Sequence, residues 1–231
     1  MRNLQENVVP AENQNSDYYF TVSEGDGLKI LFVGNSITKH EPRPEIGWYR
    51  DCGMAATCIE NDYVHILKNK IEQFSSNASI RILQVAEYER NFDNIDVVSY
   101  YAKVADFKPD IVIMFFGANV SNTYETQIEH KKTFGRAFED LRNLLDNGNT
   151  VFIISQGFFI RPLLDAEKEE IAKKHNDIFV EIDDIRNRED THGDFNHPND
   201  IGMQDIAELF WKVLEPIIIT KNCQLKDNEE Y

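Results

Sequence analysis

Short unbroken runs of apolar residues alternate along the chain with longer segments in which apolar residues recur every three or four positions. Such short runs are typical of parallel strands that are covered on both faces. Strands are predicted at 30–33, 80–85, 110–116, 151–155 and 178–182. The intervening segments have the spacing of amphipathic helices, which are predicted at 62–74, 97–104, 134–145, 165–174 and 203–214. This alternation predicts an α/β fold, a doubly wound parallel sheet with helices on both faces.

The rest of the chain is divided into an arm, one domain and a tail. Residues 1–27 are predicted to form an N-terminal arm, in which the aromatic and β-branched residues at 17–22 could make an edge strand or a hairpin. Residues 28–218 are predicted to form one domain, and 219–231 a polar C-terminal tail.

A long irregular segment, 39–61, follows the first predicted strand and carries Trp48, Tyr49 and Met54. Large apolar side chains in a loop are expected to cover something. They either close the edge of the core or line a pocket, and the sequence leaves both readings open.

Composition and charge narrow the class of protein. Of 231 residues 42% are hydrophobic and 28% charged, which is ordinary for a globular protein. The net charge of −16 argues against nucleic acid or an anionic membrane as a partner. No apolar run approaches the roughly 18 residues of a membrane span. The three cysteines lack a metal-type spacing and the first residues lack the apolar core of a signal peptide, so a cytoplasmic location is expected.

The first predicted strand ends in the polar turn Gly34-Asn35-Ser36. Open α/β sheets bind ligands at the carboxyl ends of their strands, so Ser36 is a candidate functional residue. Gly34 is expected to permit the turn because glycine tolerates unusual backbone angles. The Ser36 hydroxyl could be a nucleophile, a phosphate ligand or a helix N-cap, and its position alone leaves the three open.

Two further segments could supply what a serine nucleophile needs. His197 could accept the Ser36 proton, because imidazole titrates near neutral pH. Asp194, three residues earlier, could hold His197 in one tautomer. Asn119, in the turn after the third predicted strand, could donate to an oxygen that becomes negative, together with the main-chain N–H of Ser36.

In this order, the three segments resemble the sequence blocks of the SGNH (GDSL-type) hydrolase family. Residues 34–38 are similar to the first block, with Asn35 where Asp is usual. Residues 117–119 are similar to the third block, and 194–199, followed by 201–203, to the last. The resemblance implies a three-layer α/β/α sandwich with a flavodoxin-like, five-stranded parallel sheet. It also implies a serine esterase that needs no metal or cofactor and forms an acyl-enzyme at Ser36.

This sequence departs from the family in the second block. The family has a glycine whose main-chain N–H completes the oxyanion hole, and no glycine follows the second predicted strand. A main-chain N–H of Glu87 or Tyr88 could take its place. Arg90 could reach the pocket and bind an acid group or polarise a carbonyl; alternatively, Glu89 and Arg90 form a surface ion pair.

The remaining candidates for substrate binding are Asn35, His40, Trp48, Tyr49 and Met54. His192 lies near the last block but is expected to be an ordinary loop histidine. The His, Cys and Asp residues lack zinc spacing, so no catalytic metal is predicted.

The expected function is hydrolysis of a small acyl ester, with an acetyl group on a carbohydrate as the leading expectation. The carbohydrate rests on the resemblance and on the aromatic rings at 48 and 49, which could stack on a sugar. A lysophospholipase-like or thioesterase-like activity on longer acyl chains is the alternative within enzymes. A catalytically impaired ligand-binding module on the same fold is the alternative outside them. No oligomeric state is predicted.

Overall fold

The structure, a computed structural model, describes residues 19–126 and 130–229, with side chains to residue 224. Its strands are β1 Tyr19–Ser23, β2 Lys29–Gly34, β3 Ser79–Gln84, β4 Ile111–Phe115, β5 Val151–Ser155 and β6 Ile178–Val180. Its α-helices are α1 Tyr63–Phe74, α2 Ala86–Asn91, α3 Val97–Tyr100, α4 Ala102–Ala105, α5 Phe134–Leu145, α6 Pro162–His175, α7 Asp183–Arg186 and α8 Asp200–Glu229. Residues 1–18 of the predicted arm lie outside the described part of the chain.

All six strands belong to one sheet, in the order β1-β3-β2-β4-β5-β6. Strands β2 to β6 run parallel, and β1 pairs antiparallel with β3 at the edge. Among the parallel strands alone, the order is second, first, third, fourth and fifth, which is the flavodoxin-like order. The predicted five-stranded parallel sheet is therefore confirmed, and the aromatic segment before it does form an edge strand.

Two hydrophobic cores cover the two faces of the sheet. Successive strand residues point to opposite faces, so Ile30 and Phe32 pack into one core and Leu31 and Val33 into the other. The first core is completed by α1, α7 and α8, and the second by α2 to α6. This confirms the predicted three-layer α/β/α sandwich and explains why the strands are apolar throughout.

Helices α1, α5, α6 and α8 overlap predicted helices, whereas α2 and α7 lie where none was predicted. Helix α1 begins as expected at Asp62, whose carboxylate accepts the main-chain N–H of His65 at 2.8 Å. The single helix predicted over 97–104 is instead two short helices, α3 and α4. Tyr101 separates them because its backbone, at φ −112° and ψ 22°, leaves the helical region.

The last helix continues into the segment that was predicted to be a polar tail. Helix α8 begins at Asp200 and remains helical through Glu229. Polar residues such as Lys, Gln and Glu have good helix propensity, so a change to polar composition does not end a helix. Among the described helices, none carries an apolar stretch that could cross a bilayer.

The order of the strands creates a switch point at the carboxyl end of β2. The chain passes from β2 to β3 on one side and then returns to β4 on the other. Gly34 at the end of β2 is paired with Gln84 of β3 and with Phe115 of β4. The polar segments that follow these three strands therefore begin at one edge, where open sheets bind their ligands.

Candidate active site

Ser36 lies on a tight turn directly after β2. The Asn35 carbonyl accepts the main-chain N–H groups of Thr38 at 2.9 Å and Lys39 at 3.0 Å, which closes the turn. A Cβ at Gly34 would lie 1.7 Å from the Thr38 hydroxyl oxygen. Glycine is therefore required by close approach rather than by unusual backbone angles, since Gly34 is not among the glycines with positive φ.

The side chain of Ser36 is hydrogen-bonded to His197. Its Oγ atom lies 2.8 Å from His197 Nε2, although the two residues are 161 positions apart. Ser36 is partly exposed, whereas His197 is buried. The N-cap reading of Ser36 is wrong, because a turn follows it and the next α-helix begins at Tyr63.

Burial controls the charge of His197. Burial is the main cause that lowers the pKa of His197 to about 4; the Phe195 hydrogen bond opposes this shift and the nearby His40 adds to it. The Phe159 ring meets the His197 ring edge-on, with centroids 5.2 Å apart, and forms part of this apolar surrounding. His197 is therefore neutral at pH 7 and able to accept a proton from Ser36.

The other ring nitrogen of His197 does not contact Asp194. Nδ1 lies 3.0 Å from the main-chain oxygen of Phe195. Phe195 and Asn196 both adopt left-handed backbone angles, with φ 58° and 57°, and this tight turn brings the Phe195 carbonyl to the Nδ1 edge of the ring. Asp194 is exposed at the start of the turn, and its main-chain oxygen accepts the His197 N–H at 3.0 Å. The expected carboxylate–imidazole contact is therefore corrected to a carbonyl–imidazole contact.

His192 braces the same loop and takes no part in the contact with Ser36. Its Nδ1 atom lies 2.8 Å from Asn196 Oδ1, and its Nε2 atom lies 2.9 Å from the Arg186 carbonyl. These contacts agree with the expectation of a loop histidine.

Asn119 follows β4 and is held by side chains on both sides of its amide. Its Nδ2 atom donates to Glu89, and its Oδ1 atom accepts from Arg90 Nη2 at 3.4 Å. Glu89 is fully buried, so the alternative of a surface ion pair between Glu89 and Arg90 is wrong. The carboxylate also accepts the Asn35 amide at 3.0 Å.

Glu89 is the residue of this site that the sequence reasoning missed. The sequence feature that could have pointed to Glu89 is Asn35, which stands where the SGNH (GDSL-type) family usually has Asp. An amide at position 35 can donate to a buried carboxylate, whereas a second carboxylate there would repel it.

Helix α2 begins next to the turn that carries Ser36 and has main-chain N–H donors in its first turn. The Val85 N–H donates to the Gly34 carbonyl at 2.8 Å, which holds the start of α2 against the end of β2. Glu87 and Tyr88 are in the first turn of α2, where N–H groups have no acceptor within the helix. The Tyr88 side chain points away and donates to the Ala137 carbonyl at 2.7 Å, so this residue can offer only its main chain.

Comparison with solved structures identifies the architecture. No family model matches the sequence, and no curated relative matches it either. The fold is similar to a two-domain esterase active on acetylated mannans, with TM-score 0.57 and 18% identity over 84% of this chain and 50% of that one. It is also similar to a structure described as a GDSL-like lipase from Bacteroides ovatus, with TM-score 0.54 and 14% identity over 83% of this chain and 100% of that one.

The protein has the SGNH (GDSL-type) hydrolase fold. A third similar structure is a family two carbohydrate esterase from Clostridium thermocellum in complex with cellohexaose, with TM-score 0.52 and 15% identity over 84% of this chain and 65% of that one. The chain thus spans half the length of the two-domain esterase. The resemblance seen in the sequence is confirmed in the fold.

On this SGNH fold, two of the residues predicted to line the pocket, Trp48 and Met54, are part of the core. Trp48 is 1% exposed and Met54 is also buried, and both belong to the core that α1 and α8 cover. The prediction that they contact substrate is therefore corrected, because neither presents a surface to a ligand. Tyr49, at 70% exposed, keeps a ring accessible. In this loop Trp48 therefore closes the core, whereas its neighbour Tyr49 faces solvent.

His40 borders the site from the same loop. Its Nδ1 atom lies 2.6 Å from the Glu41 carbonyl, and burial lowers its pKa. His40 also lowers the pKa of His197, and the positive charges of Arg43 and Arg90 help to lower the pKa of His40 itself. Across the described residues, His, Cys, Asp and Glu form no group of three that could hold a metal ion.

Proposed function

We propose that the protein is a serine esterase that hydrolyses small acyl esters through Ser36 and His197. The observation that carries the proposal is the 2.8 Å contact between Ser36 Oγ and His197 Nε2. A serine hydroxyl is a weak nucleophile until a base takes its proton, and a neutral histidine in this position is that base.

The reaction begins when Ser36 Oγ attacks the ester carbonyl and His197 Nε2 takes its proton. The tetrahedral intermediate collapses as the same proton passes from Nε2 to the departing alcohol, which leaves an acyl group on Ser36. A water molecule then enters, gives a proton to Nε2 and attacks the acyl carbonyl. The proton returns to Ser36 Oγ as the carboxylic acid leaves.

The negative oxygen of each intermediate is stabilised by donors that surround the Ser36 turn. We assign these donors to the main-chain N–H of Ser36, the Asn119 amide and the N–H of Glu87 or Tyr88. They come from the ends of β2, β4 and β3, and so they are fixed before the charge develops. Preorganised donors of this kind stabilise the transition state because they need no reorientation.

His197 is oriented in this proposal by the Phe195 carbonyl. A carbonyl fixes the tautomer, because only a protonated Nδ1 can donate to it, and this leaves Nε2 able to accept the Ser36 proton. It carries no full charge, however, so it stabilises the imidazolium less than a carboxylate would. The proposed machinery is therefore a Ser–His pair rather than a Ser-His-Asp triad.

An acetyl group on a carbohydrate is the proposed substrate. Two of the structurally similar proteins are a two-domain esterase active on acetylated mannans and a family two carbohydrate esterase. The exposed ring of Tyr49 offers an apolar face of the kind that sugars stack on. The Ser36–His197 contact argues against the impaired binding module.

A longer acyl chain is the second candidate, favoured by an apolar surface beside His197. Phe159 contacts the His197 ring, and the next residue, Ile160, is 57% exposed. Leu163, at the start of α6, is also exposed. These side chains could cover an acyl chain that extends beyond two carbons.

The test compares Ser36→Ala with Ser99→Ala, which changes an exposed serine of α3. Both variants are assayed on p-nitrophenyl esters from acetate to octanoate, and acetate release is measured from an acetylated manno-oligosaccharide. Ser36→Ala is expected to lose activity and labelling by a fluorophosphonate probe, while Ser99→Ala retains both. Full activity of Ser36→Ala would refute the esterase, and a rate that rises with chain length would favour the longer acyl substrate.

A further inference from the structure

The Glu89 carboxylate joins the segments that follow β2 and β4. It is fully buried and accepts hydrogen bonds from the Asn35 amide, the Gly117 main-chain N–H and the Asn119 amide. Asn35 and Gly117 share Oε1, and Asn119 binds Oε2. A carboxylate with three donors around it is held firmly, and it holds those donors in turn.

Lys168 holds the other end of the peptide group that Glu89 binds. Its ammonium is fully buried and donates to the Phe116 carbonyl at 3.2 Å and to Asp165 at 3.0 Å. The Phe116 carbonyl and the Gly117 N–H belong to one peptide group. This group is therefore held between a buried anion and a buried cation, at the position where Gly117 takes a φ of +135°.

These contacts fix the orientation of the Asn119 amide. One N–H of Nδ2 is used by Glu89, and Oδ1 accepts from Arg90 Nη2. With both ends of the amide assigned, the plane of the group is set. The direction of the second N–H follows, because the two hydrogens of an amide nitrogen lie in that plane.

We propose that Glu89 is a positioning residue for the oxyanion donor: it orients the Asn119 amide and, with Lys168, holds the Phe116–Gly117 peptide group in place. The inference rests on the proposed function, since it requires Asn119 to act on the substrate. Glu89 itself does not touch the substrate. Its carboxylate acts through the second N–H of Asn119, which it keeps aimed at the developing negative oxygen.

The decisive variant is Glu89→Gln, which keeps the shape of the side chain but replaces one acceptor with a donor. The introduced NH₂ group is expected to take the position of Oε2, which faces only the Asn119 amide, because the position of Oε1 faces two N–H donors. The Asn119 amide must then turn over to accept this donor, which moves its own NH₂ group towards Arg90. The oxyanion therefore loses its donor, although the side chain of Asn119 is still present.

Glu89→Gln is expected to lower kcat for p-nitrophenyl acetate about 100- to 1,000-fold. KM should change by less than about threefold, because the lost contact is made only in the transition state. The pH midpoint of kcat/KM should stay where it is in the wild type. The matched control is Glu139→Gln, a buried carboxylate on α5 that contacts His175 and Lys174; it should lower the melting temperature and leave kcat unchanged.

A double variant separates positioning from folding. Adding Asn119→Asp to Glu89→Gln restores an acceptor opposite the introduced amide and keeps the acceptor for Arg90. Glu89→Gln alone should lower the melting temperature, because the turned Asn119 amide presents its NH₂ group to the Arg90 guanidinium. In the double variant the melting temperature should recover towards the wild-type value while kcat remains low, because no donor has returned. A kcat that recovers together with the melting temperature would overturn the inference.

Ser36→Ala is measured in parallel so that the two proposals fail separately. If Ser36→Ala remains active, the esterase itself is refuted. If Ser36→Ala is inactive and Glu89→Gln keeps kcat within about twofold of the wild type, the esterase stands and the role of Glu89 is refuted. A loss of kcat in Glu139→Gln equal to that in Glu89→Gln would also refute it.

Discussion

His197 Nδ1 lies 3.0 Å from the main-chain oxygen of Phe195. This contact replaces the carboxylate–imidazole contact that Asp194 would provide in a Ser-His-Asp triad. A main-chain oxygen cannot be removed by mutating a side chain, and its position depends on the left-handed turn at Phe195 and Asn196. The backbone of the loop therefore orients the base in the proposed mechanism.

The first prediction concerns Asp194. Asp194→Asn is expected to leave kcat within about threefold of the wild type, because the carboxylate is exposed and does not contact His197. Loss of a true triad carboxylate costs about 10⁴-fold in kcat. Steady-state kinetics on p-nitrophenyl acetate distinguish the two outcomes, and a fall of 10³-fold or more would restore Asp194 as the orienting acid.

The second prediction concerns the pH dependence of activity. Because the pKa of His197 is lowered to about 4, kcat/KM should rise from acidic pH with a midpoint near 4 and be flat between about pH 6 and 8. A midpoint near the ordinary histidine value of 6.5 would contradict the buried, neutral base.

The same shift predicts how stability depends on pH. Between about pH 4 and 6.5 the unfolded chain binds a proton at His197 that the folded chain does not. The contribution of His197 to the free energy of unfolding is therefore fully present above pH 6.5 and falls as the pH is lowered towards 4. Urea unfolding of the wild type and of His197→Gln at several pH values in this range gives the free energy of unfolding of each. The slope of that free energy against pH should be steeper in the wild type, and the difference between the two slopes measures the contribution of His197.

The third prediction concerns Phe159, whose ring shields His197. Phe159→Ala should let water reach the imidazole and raise its pKa towards the ordinary value by about one unit. The acidic midpoint of kcat/KM should move to higher pH by the same amount. Phe74→Ala, which removes a partly exposed ring beside Trp211, is the control and should not move it.

The fourth prediction concerns the glycine that precedes the nucleophile. Gly34→Ala should lower the free energy of unfolding by about 3 kcal/mol and abolish activity, because the new methyl group would overlap the Thr38 hydroxyl. Gly47→Ala is the control. Gly47 has a φ of +81° but no atom within 4 Å of its would-be Cβ, so only the backbone cost of about 1–2 kcal/mol is expected. A loss in Gly34→Ala no larger than the loss in Gly47→Ala would contradict the requirement for space beside Thr38.

Much of the architecture could be predicted because its causes are local. The apolar runs of β2, β4 and β5 identify strands buried on both faces, and their alternation with helices leaves few topologies. The break at Tyr101 and the continuation of α8 were missed, because neither is signalled by apolar spacing. The break depends on the backbone angles of Tyr101, which its residue type does not dictate, and α8 continues because polar residues with good helix propensity need no apolar face.

The sequence by itself determined the layered sheet, the serine at the end of its first parallel strand and the polar turns that follow the other strands. Tertiary structure alone decided that Glu89 binds Asn35, 54 residues away, and Asn119, 30 residues away, that Trp48 closes the core, and that a carbonyl rather than Asp194 meets His197. The physical reason is the separation along the chain of the residues that make each contact. Hydrophobic periodicity reports contacts within a few residues, whereas a buried polar group takes its partners from whichever segments the completed fold places around it.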